Sequence, residues 1–370
     1  MYYNKFKDIE ISALGFGSLR VPKEEGNPKR TDRKKGKELL AAAFDCGINY
    51  IDTAYTYGDS EEFLGDVLPD FPRGSYYLAT KYYASVRRDI REVFEEQLKR
   101  CKTDYFDFYM LHSLDDYYIN DYMDEKMDCI GFMLEQKRIG RVKYLGFSSH
   151  ANPNTLRRFL DYCDEFDMAQ IQLNYLDWDV LDAKGQYELL RERDIPVWVM
   201  EPLKGGRLAN LGDEAQGILK ATSPNNSAPS WGFRFLMGLE GVTCVLSGMT
   251  TPEQIRENSR IFASRNPLSE KEREALETAA KTYMQIMGVP CSACRYCCDT
   301  CPAELDIPLL IRGYNQMKLD NALWKVDGLN KAKGPEECLY CETCLSHCPQ
   351  KIQIPQILAE FDEMLNKRKA

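Results

Sequence analysis

Long apolar stretches are missing from the sequence: no part of its 370 residues approaches the roughly 20 consecutive apolar positions that a membrane-spanning helix needs. An excess of basic residues is missing too, since the net charge is −9. Nucleic-acid backbones and anionic membranes attract basic surfaces, so neither is expected as a partner. The first residues, MYYNKFKDIE, lack the apolar segment of a signal peptide. We therefore predict a cytoplasmic protein that binds neither nucleic acid nor membrane.

A glycine-rich dinucleotide turn is also missing. Gly15 and Gly17 do not complete G-x-G-x-x-G, which weakens the prediction of a doubly wound open sheet. The chain instead alternates helical stripes with eight short apolar runs, at residues 10–19, 48–51, 76–79, 106–111, 142–147, 169–173, 196–201 and 242–246. Eight strands separated by helices favour an α/β fold of the (β/α)8 TIM-barrel type, and the doubly wound sheet is the second choice.

The cysteines are unevenly distributed. Five of the fourteen are scattered singly through the first 290 residues, and nine crowd into residues 291–348. This distribution is typical of a metal module attached to a domain with reduced thiols, and not of a secreted disulfide scaffold. The turn sequence GVP precedes the first of the nine and marks a boundary. We predict two domains, a barrel over residues 1–287 and a small, mostly helical metal-binding domain over residues 288–370.

Four residues that can carry proton chemistry follow successive predicted strands. Asp52 ends the run 48–51 and Tyr57 follows five residues later, whereas Lys81 and His112 end the next two runs. Taken singly, these residues are typical of a loop cap, a solvated strand end and a core histidine. In a parallel barrel, however, all strand C-termini open onto one face, so the four are expected to converge. A phenol with a pKa of about 10 needs a neighbouring cation to act near pH 7, and a lysine would supply it.

The runs GINYIDTAYTYG, LATK and FYMLH contain these four residues and resemble the aldo-keto reductases. The resemblance implies a catalytic tetrad, which would consist of Asp52, Tyr57, Lys81 and His112. It also implies that hydride passes from NADP(H) or NAD(H) to the carbonyl carbon of an aldehyde or ketone while Tyr57 protonates the oxygen. Lys81, paired with Asp52, would lower the pKa of the phenol. His112 would orient the carbonyl, and the corresponding alcohol would be the substrate of the reverse reaction.

The same resemblance implies a set of nucleotide-binding residues. Those expected at the nicotinamide are Ser148, Ser149, Gln170 and Met200, although two adjacent serines are by themselves typical of a turn or helix cap. Met200 stands where a tyrosine usually stacks on the ring. Those expected at the adenosine end are Ser247, Gly248, Met249, Gln254, Glu257 and Asn258. The basic pair that many relatives present to a 2′-phosphate falls on Gly248 and Gln254, with Arg256 as a substitute, so NADPH and NADH both stay open.

One cysteine motif occurs twice, 47 residues apart, and isoleucine-proline follows each copy. The spacing Cys-x2-Cys-x2-Cys-x3-Cys-Pro is that of bacterial two-cluster ferredoxins, in which three thiolates of one run and the last of the other hold each [4Fe-4S] cube. We predict two such clusters, one on Cys291, Cys294, Cys297 and Cys348, and the other on Cys338, Cys341, Cys344 and Cys301. Zinc is the alternative metal. Cys298, a ninth thiol, is an alternative to Cys297.

These parts lead to two hypotheses. The first is an NAD(P)-dependent oxidoreductase of the aldo-keto reductase type that carries an accessory ferredoxin-type domain, with an electron-transfer protein as a candidate partner. The second is an electron-transfer or redox-sensing iron-sulfur protein that uses the barrel as a nucleotide-binding scaffold. A hydride carries two electrons and a cube carries one, and no flavin motif that would couple them is visible in the sequence. The complete tetrad favours the first hypothesis.

Overall fold

The computed structural model describes residues 1–320, 323, 326 and 328–369. Within these residues the strands are β1 (Tyr3–Phe6), β2 (Ile9–Ser12), β3 (Leu14–Gly17), β4 (Lys23–Glu24), β5 (Asn27–Thr31), β6 (Tyr50–Asp52), β7 (Tyr77–Tyr82), β8 (Phe106–Leu114), β9 (Val142–Ser149), β10 (Met168–Gln172), β11 (Val197–Met200) and β12 (Val242–Ser247).

Eight of these strands close a parallel barrel in the order β3, β6, β7, β8, β9, β10, β11, β12. The pairing of β12 with β3, in which Leu246 lies opposite Gly15, completes the circle. Each of the eight apolar runs in the sequence overlaps one barrel strand, so the predicted TIM barrel is confirmed. The antiparallel pairs β1–β2 and β4–β5 lie outside the barrel. A parallel barrel places all its strand carboxyl ends on one rim.

The helices connect and follow these strands. They are α1 (Arg33–Asp45), α2 (Ser60–Val67), α3 (Ile90–Cys101), α4 (Ile119–Tyr122), α5 (Cys129–Arg138), α6 (Pro153–Tyr162), α7 (Asp177–Val180), α8 (Ala183–Glu192), α9 (Gly212–Thr222), α10 (Ala228–Met237), α11 (Pro252–Ile261), α12 (Glu270–Ile286), α13 (Tyr296–Asp299), α14 (Ile307–Asp320), α15 (Thr343–Ser346) and α16 (Ile354–Lys369). None of the helices in the described residues has the length and apolar character needed to cross a bilayer.

The barrel interior is filled with side chains, so chemistry is confined to its rim. Alternate strand residues point inward, and the buried interior residues include Tyr50, Ala79, Phe108, Met110, Tyr144, Met168, Trp198, Cys244 and Leu246. Asp52, Lys81 and His112 follow inward residues of their own strands at even spacing. They therefore continue the inward rows to the carboxyl rim.

Phe6 of β1 closes the opposite end of the barrel. Its ring packs edge-on against Tyr144 and Trp198, with centroids 5.1 Å and 5.0 Å apart. Edge-to-face aromatic pairs of this kind stabilise a core beyond the area they bury. The amino-terminal end of the barrel is thus a packed core, and the open end is the rim that bears the tetrad residues.

By contacts the chain divides into two compact units, Met1–Pro202 with Pro229–Ser269, and Leu203–Ala228 with Glu270–Ala370. The second unit thus takes in α9 and α12 together with the cysteine motifs, and α9 packs against α12 within it. The domain boundary between residues 287 and 288 was inferred from the sequence motifs, and it stays a prediction.

The duplicated cysteine motif is repeated in the backbone of the second unit. Each copy contains one short helix, α13 or α15, and is followed by a longer helix, α14 or α16, that begins at the isoleucine-proline pair. Left-handed non-glycine residues also recur 47 positions apart, as Ala293 and Tyr340 with φ of 55° and 51°, and as Arg295 and Glu342 with φ of 72° and 60°. Such conformations are uncommon outside glycine. Their recurrence indicates that both loops wrap in the same way.

Candidate active site

Lys81 and Asp52 form a buried ion pair at the open rim. Asp52 of β6 lies opposite Ala79 of β7, and Lys81 is two residues further along the same inward row. The Lys81 Nζ atom lies 2.6 Å and 2.8 Å from the two Asp52 carboxylate oxygens, and it donates to the Thr53 carbonyl at 2.8 Å. The Lys81 side chain is fully buried. An unpaired charge at such a position would be strongly destabilising, so the pair explains how the lysine is accommodated.

Tyr57 lies in the loop after β6, against this ammonium. The Lys81 Nζ atom is 5.0 Å from the centroid of the Tyr57 ring. Burial alone would lower the pKa of Lys81, but the Asp52 carboxylate and a hydrogen bond with Tyr57 outweigh it and raise that pKa. The ammonium therefore persists at neutral pH. A fixed cation beside a phenol favours the phenolate form of that phenol.

His112 completes the group from β8. Its ring and the Tyr57 ring meet edge-on, with centroids 5.7 Å apart. Burial and the Lys81 charge hold the pKa of His112 well below its usual value, so the imidazole is neutral at pH 7. Thr56 Oγ1 lies 3.3 Å from His112 Nδ1, a contact that sequence reasoning missed. The Tyr83 ring packs 5.4 Å away on another side.

Gln170 and Met200 lie at neighbouring strand ends, where the nicotinamide was expected. Gln170 of β10 pairs in register with Ser148 of β9, and its Nε2 lies 3.7 Å from the Met200 sulfur. Gln170 Oε1 is buried, and none of the described residues donates to it. A buried acceptor without a donor is uncommon in native proteins and is satisfied when a ligand supplies an N–H group. A carboxamide such as that of nicotinamide fits this position.

The two adjacent serines have different surroundings. Ser148 is buried, and its Oγ accepts a hydrogen bond from the Ser113 backbone at 2.8 Å. The Ser149 hydroxyl instead bonds to Gln186 of α8 at 3.0 Å and accepts from the Ala151 backbone at 3.1 Å. Successive strand residues point to opposite faces of a sheet. The structure therefore brings Ser148 to Gln170, and it engages Ser149 with the surrounding helix.

The residues expected at the adenosine end lie in and after β12, and some of them face inward. Ser247 Oγ accepts from the Asn258 side chain at 3.3 Å, and both residues are buried. Met249 is buried as well. These three residues form the inner part of the segment that joins β12 to α11.

The other α11 residues are on its exposed side. The Gln254 side chain accepts from the Thr250 backbone at 2.8 Å, and the Gln254 backbone donates to the helix cap Thr251 at 3.3 Å. Arg256 pairs with Glu253 at 3.6 Å, and Glu257 is exposed. The basic substitute suggested by the sequence is thus engaged within its own helix.

Arg20 is a residue that sequence reasoning did not identify. Its side chain packs over Gly248, where an added Cβ would lie 3.0 Å from Arg20 Cδ. Its guanidinium also lies 3.7 Å from Glu201. A signal was present, because Arg20 follows the first barrel strand and Gly248 follows the eighth, and these two strands are neighbours in any closed barrel.

Four of the predicted cluster ligands line one cavity in the second unit. The lining of this cavity includes Cys301, Cys338, Cys341 and Cys344. Three of these thiols come from the second motif and one from the first, as in the crossed arrangement expected from two-cluster ferredoxins. Apolar side chains such as Ile307 and Leu358 complete its wall.

The remaining thiols also come together across the two motifs. Cys348 of the second motif is close enough to Cys291 and Cys297 to affect the ionisation of both, and Cys294 affects Cys297. Cys298 lies beside Cys297 and shares a thiol hydrogen bond with it. The grouping again takes three thiols from one run and the last thiol from the other.

The two metals considered for the cysteine motifs require different spacings of their thiol ligands. In the part of the chain that the structure describes, no three His, Cys, Asp or Glu side chains are close enough together to bind one metal ion. A structural zinc holds four ligands about 2.3 Å from a single ion. In a cube each thiolate binds a different iron, so the four stand further apart. Zinc stays the alternative metal for these thiols.

Comparisons with known proteins agree with this architecture. The model of the aldo/keto reductase family matches residues 13–281, and the model of a 4Fe-4S dicluster domain matches residues 290–352. An uncharacterized oxidoreductase of Bacillus subtilis is 28% identical over 309 residues, which are 74% of this chain and 94% of that protein. The NADH-specific methylglyoxal reductase of Escherichia coli is 25% identical over 302 residues, 68% of this chain and 90% of that protein.

Among solved structures, the holo form of an aldo-keto reductase from Bacillus halodurans superposes with a TM-score of 0.63 at 24% identity. The match covers 75% of this chain and 96% of that one, and at this identity it concerns the fold. The family model, by contrast, spans well over half of the sequence. The chain therefore belongs to the aldo/keto reductase family of oxidoreductases and carries a C-terminal domain of the 4Fe-4S dicluster type.

Proposed function

We propose that the protein catalyses the NAD(P)H-dependent reduction of a small aldehyde or ketone, with Tyr57 as the general acid. The observation that carries this proposal is the meeting of Tyr57 with the buried Lys81–Asp52 pair and the neutral His112 on one rim. Each group comes from a different strand or loop, and all of them lie at the carboxyl ends of the barrel strands. Positioned proton transfer of this kind contributes roughly 10²–10⁴-fold to a rate.

Tyr57 delivers the proton in this mechanism. NAD(P)H, when bound, supplies the hydride for the carbonyl carbon. The phenolic O–H bond of Tyr57 breaks and a new O–H bond forms on the carbonyl oxygen, so that the product is an alcohol. The Lys81 ammonium stabilises the phenolate that remains until solvent returns a proton. Asp52 keeps the ammonium charged in a buried site.

His112 acts as a neutral hydrogen-bond donor to the carbonyl oxygen. If the Thr56 hydroxyl donates to His112 Nδ1, the ring proton resides on Nε2. That proton can then be donated to the carbonyl oxygen, where negative charge develops as the reaction proceeds. Thr56 would act here as a positioning residue that fixes the tautomer.

The nucleotide-binding residues of the proposal are Gln170, Ser148 and Met200 at the nicotinamide, together with the β12–α11 segment at the adenosine end. The undonated Gln170 Oε1 supports the first part. Met200 can pack its thioether against the ring. The cofactor is NADP(H) or NAD(H).

The second unit is proposed to hold two [4Fe-4S] clusters, one on each crossed set of four thiols. Cys338, Cys341, Cys344 and Cys301 share one cavity, and the other set is Cys291, Cys294, Cys297 and Cys348. The clusters would serve as an accessory electron-transfer centre that exchanges single electrons with a partner protein.

Anaerobically purified holoprotein tests the proposal. It is mixed with NADPH or NADH and a panel of small carbonyls that begins with methylglyoxal, which the name of the Escherichia coli relative specifies. Tyr57→Phe should reduce kcat by about 100-fold or more, because only the proton donor is removed. Tyr55→Phe is the matched control, since the Tyr55 hydroxyl contacts Glu96 instead of Lys81, and it should remain within about threefold of wild type.

Turnover that survives in Tyr57→Phe would contradict the mechanism. An absence of carbonyl turnover, combined with reduction of the clusters by NAD(P)H as seen by EPR, would favour the second hypothesis from the sequence. That hypothesis is a redox protein that uses the barrel as a nucleotide scaffold.

A further inference from the structure

Lys204 is a fully buried lysine that the proposed mechanism does not use. It lies four residues after the end of β11, in the sequence Lys-Gly-Gly, and its backbone is left-handed with φ of 47°. A lysine in a glycine-containing loop at a strand end is, by residue type, a candidate phosphate ligand. Its contacts in the second unit point to a different role.

The Lys204 ammonium is directed at the second cysteine motif. Its Nζ donates to Gln350 Oε1 at 2.6 Å, and Gln350 is a buried residue two positions after Cys348. A buried cation is therefore held by the segment that directly follows Cys348, a thiol that is assigned to a cluster.

Arg207 reaches the start of the first motif from the same segment. Its guanidinium donates to the carbonyls of Met287 and Val289, the latter at 3.3 Å, and Val289 is two positions before Cys291. Arg207 Nε is buried, and none of the described residues accepts its proton. A buried donor of this kind suits an anionic acceptor such as a thiolate or a cluster sulfide.

We propose that Lys204 and Arg207 set the reduction potential of the cluster held by Cys291, Cys294, Cys297 and Cys348. The inference rests on the ligand set given under the proposed function. A cube gains one negative charge on reduction, so a fixed cation stabilises the reduced form and raises the potential. The effect is largest where water is excluded, because the local dielectric constant is low. Lys204 and Arg207 are thus positioning and tuning residues of the iron-sulfur centre, although a barrel strand leads directly into their segment.

The cluster assigned to Cys338, Cys341, Cys344 and Cys301 has different electrostatic surroundings. Cys341 is exposed, and the residue that follows it in the chain is the acidic Glu342. The sequence duplication alone would make the two cubes alike. The segment 203–209 belongs to neither copy of the motif, and it adds its two cations to the Cys291 cluster.

A redox titration of the holoprotein, followed by EPR without nucleotide or carbonyl, tests the proposal. Lys204→Met should shift the midpoint potential of one cluster downward and leave the other in place, and Arg207→Gln should shift the same cluster in the same direction. Lys204→Arg retains the charge and should leave both potentials near those of wild type. Cys294→Ser and Cys341→Ser, which alter one cluster each, identify the signal that moves.

Lys351→Met is the matched control, because Lys351 is an exposed lysine three positions after Cys348. Solvent and salt screen its charge, so its removal should change either potential less than Lys204→Met does. Iron and sulfide contents confirm that each variant carries its clusters. If Lys204→Met fails to assemble its clusters, the midpoint potentials of Arg207→Gln alone test the proposal.

Unchanged potentials in cluster-loaded variants, or equal shifts of both clusters, would overturn the proposal. Weaker nucleotide binding by Lys204→Met with unaltered potentials would instead identify the lysine as a phosphate ligand and would also overturn it. The readout involves no carbonyl turnover, so a failure here is distinguishable from a failure of the proposed reductase activity.

Discussion

Lys81 Nζ lies 2.6 Å from Asp52 Oδ1 at the rim of the barrel, and both side chains are almost completely buried. Such a pair is vulnerable to the loss of one partner. We expect Lys81→Met to destabilise the protein by about 3–5 kcal/mol, because it leaves an uncompensated carboxylate buried. The free energy of unfolding can be measured by urea titration, followed by the intrinsic fluorescence of the four tryptophans.

The double variant Asp52→Asn/Lys81→Met is the control for this prediction. It removes both charges, so it should recover most of the lost stability while carbonyl reduction stays abolished. A single variant as stable as wild type would show that the charges do not depend on each other. A double variant with normal turnover would remove Lys81 from the proposed chemistry.

The convergence of the tetrad residues was predictable because it depends on two local rules. Because side chains alternate along β6, β7 and β8, Asp52, Lys81 and His112 point into the barrel. Because the strands are parallel, the three residues lie at the same carboxyl rim. Both rules are readable from apolar runs and their termini. The grouping of thiols from both motifs was predictable for a different reason, since the spacing of each motif is that of two-cluster ferredoxins, which cross in this way.

Other features depend on contacts between segments that are distant in sequence. Arg20 covers Gly248 only because the barrel closes between its first and eighth strands. Lys204 has the residue type of a phosphate ligand, but its backbone is left-handed and its ammonium donates to Gln350 in the second unit. The helices α9 and α12 were not predicted, and they pack on each other in the second unit. Local periodicity does not report such pairings.

The neutral state of His112 predicts how stability depends on pH. Burial holds the pKa of His112 well below 6.5 in the folded protein, whereas the unfolded chain titrates near 6.5. Below about pH 6.5 the unfolded state therefore binds a proton that the folded state does not. The free energy of unfolding should fall with decreasing pH in this range, by up to about 1.4 kcal/mol per pH unit from this group.

His112→Gln removes this group and keeps a neutral polar side chain. Its free energy of unfolding should fall less steeply than that of wild type between pH 6.5 and 5, and the two slopes should agree above pH 7.5. Urea titrations of both proteins at matched pH values provide the measurement. Parallel slopes over the whole range would mean that His112 protonates equally in both states.

The adjacent thiols Cys297 and Cys298 make the cluster assignment testable at the level of one residue. Cys297 is buried and near Cys294 and Cys348, whereas Cys298 is only partly buried and lies near Cys291, Arg295 and the Ile307 backbone. Cys297→Ser should therefore lose about four of the roughly eight iron atoms per chain that two cubes contain, and Cys298→Ser should keep them all. Iron and acid-labile sulfide analysis after anaerobic reconstitution measures both variants. The reverse result, with iron lost from Cys298→Ser alone, would move the ligand by one position and place Cys297 in the supporting core.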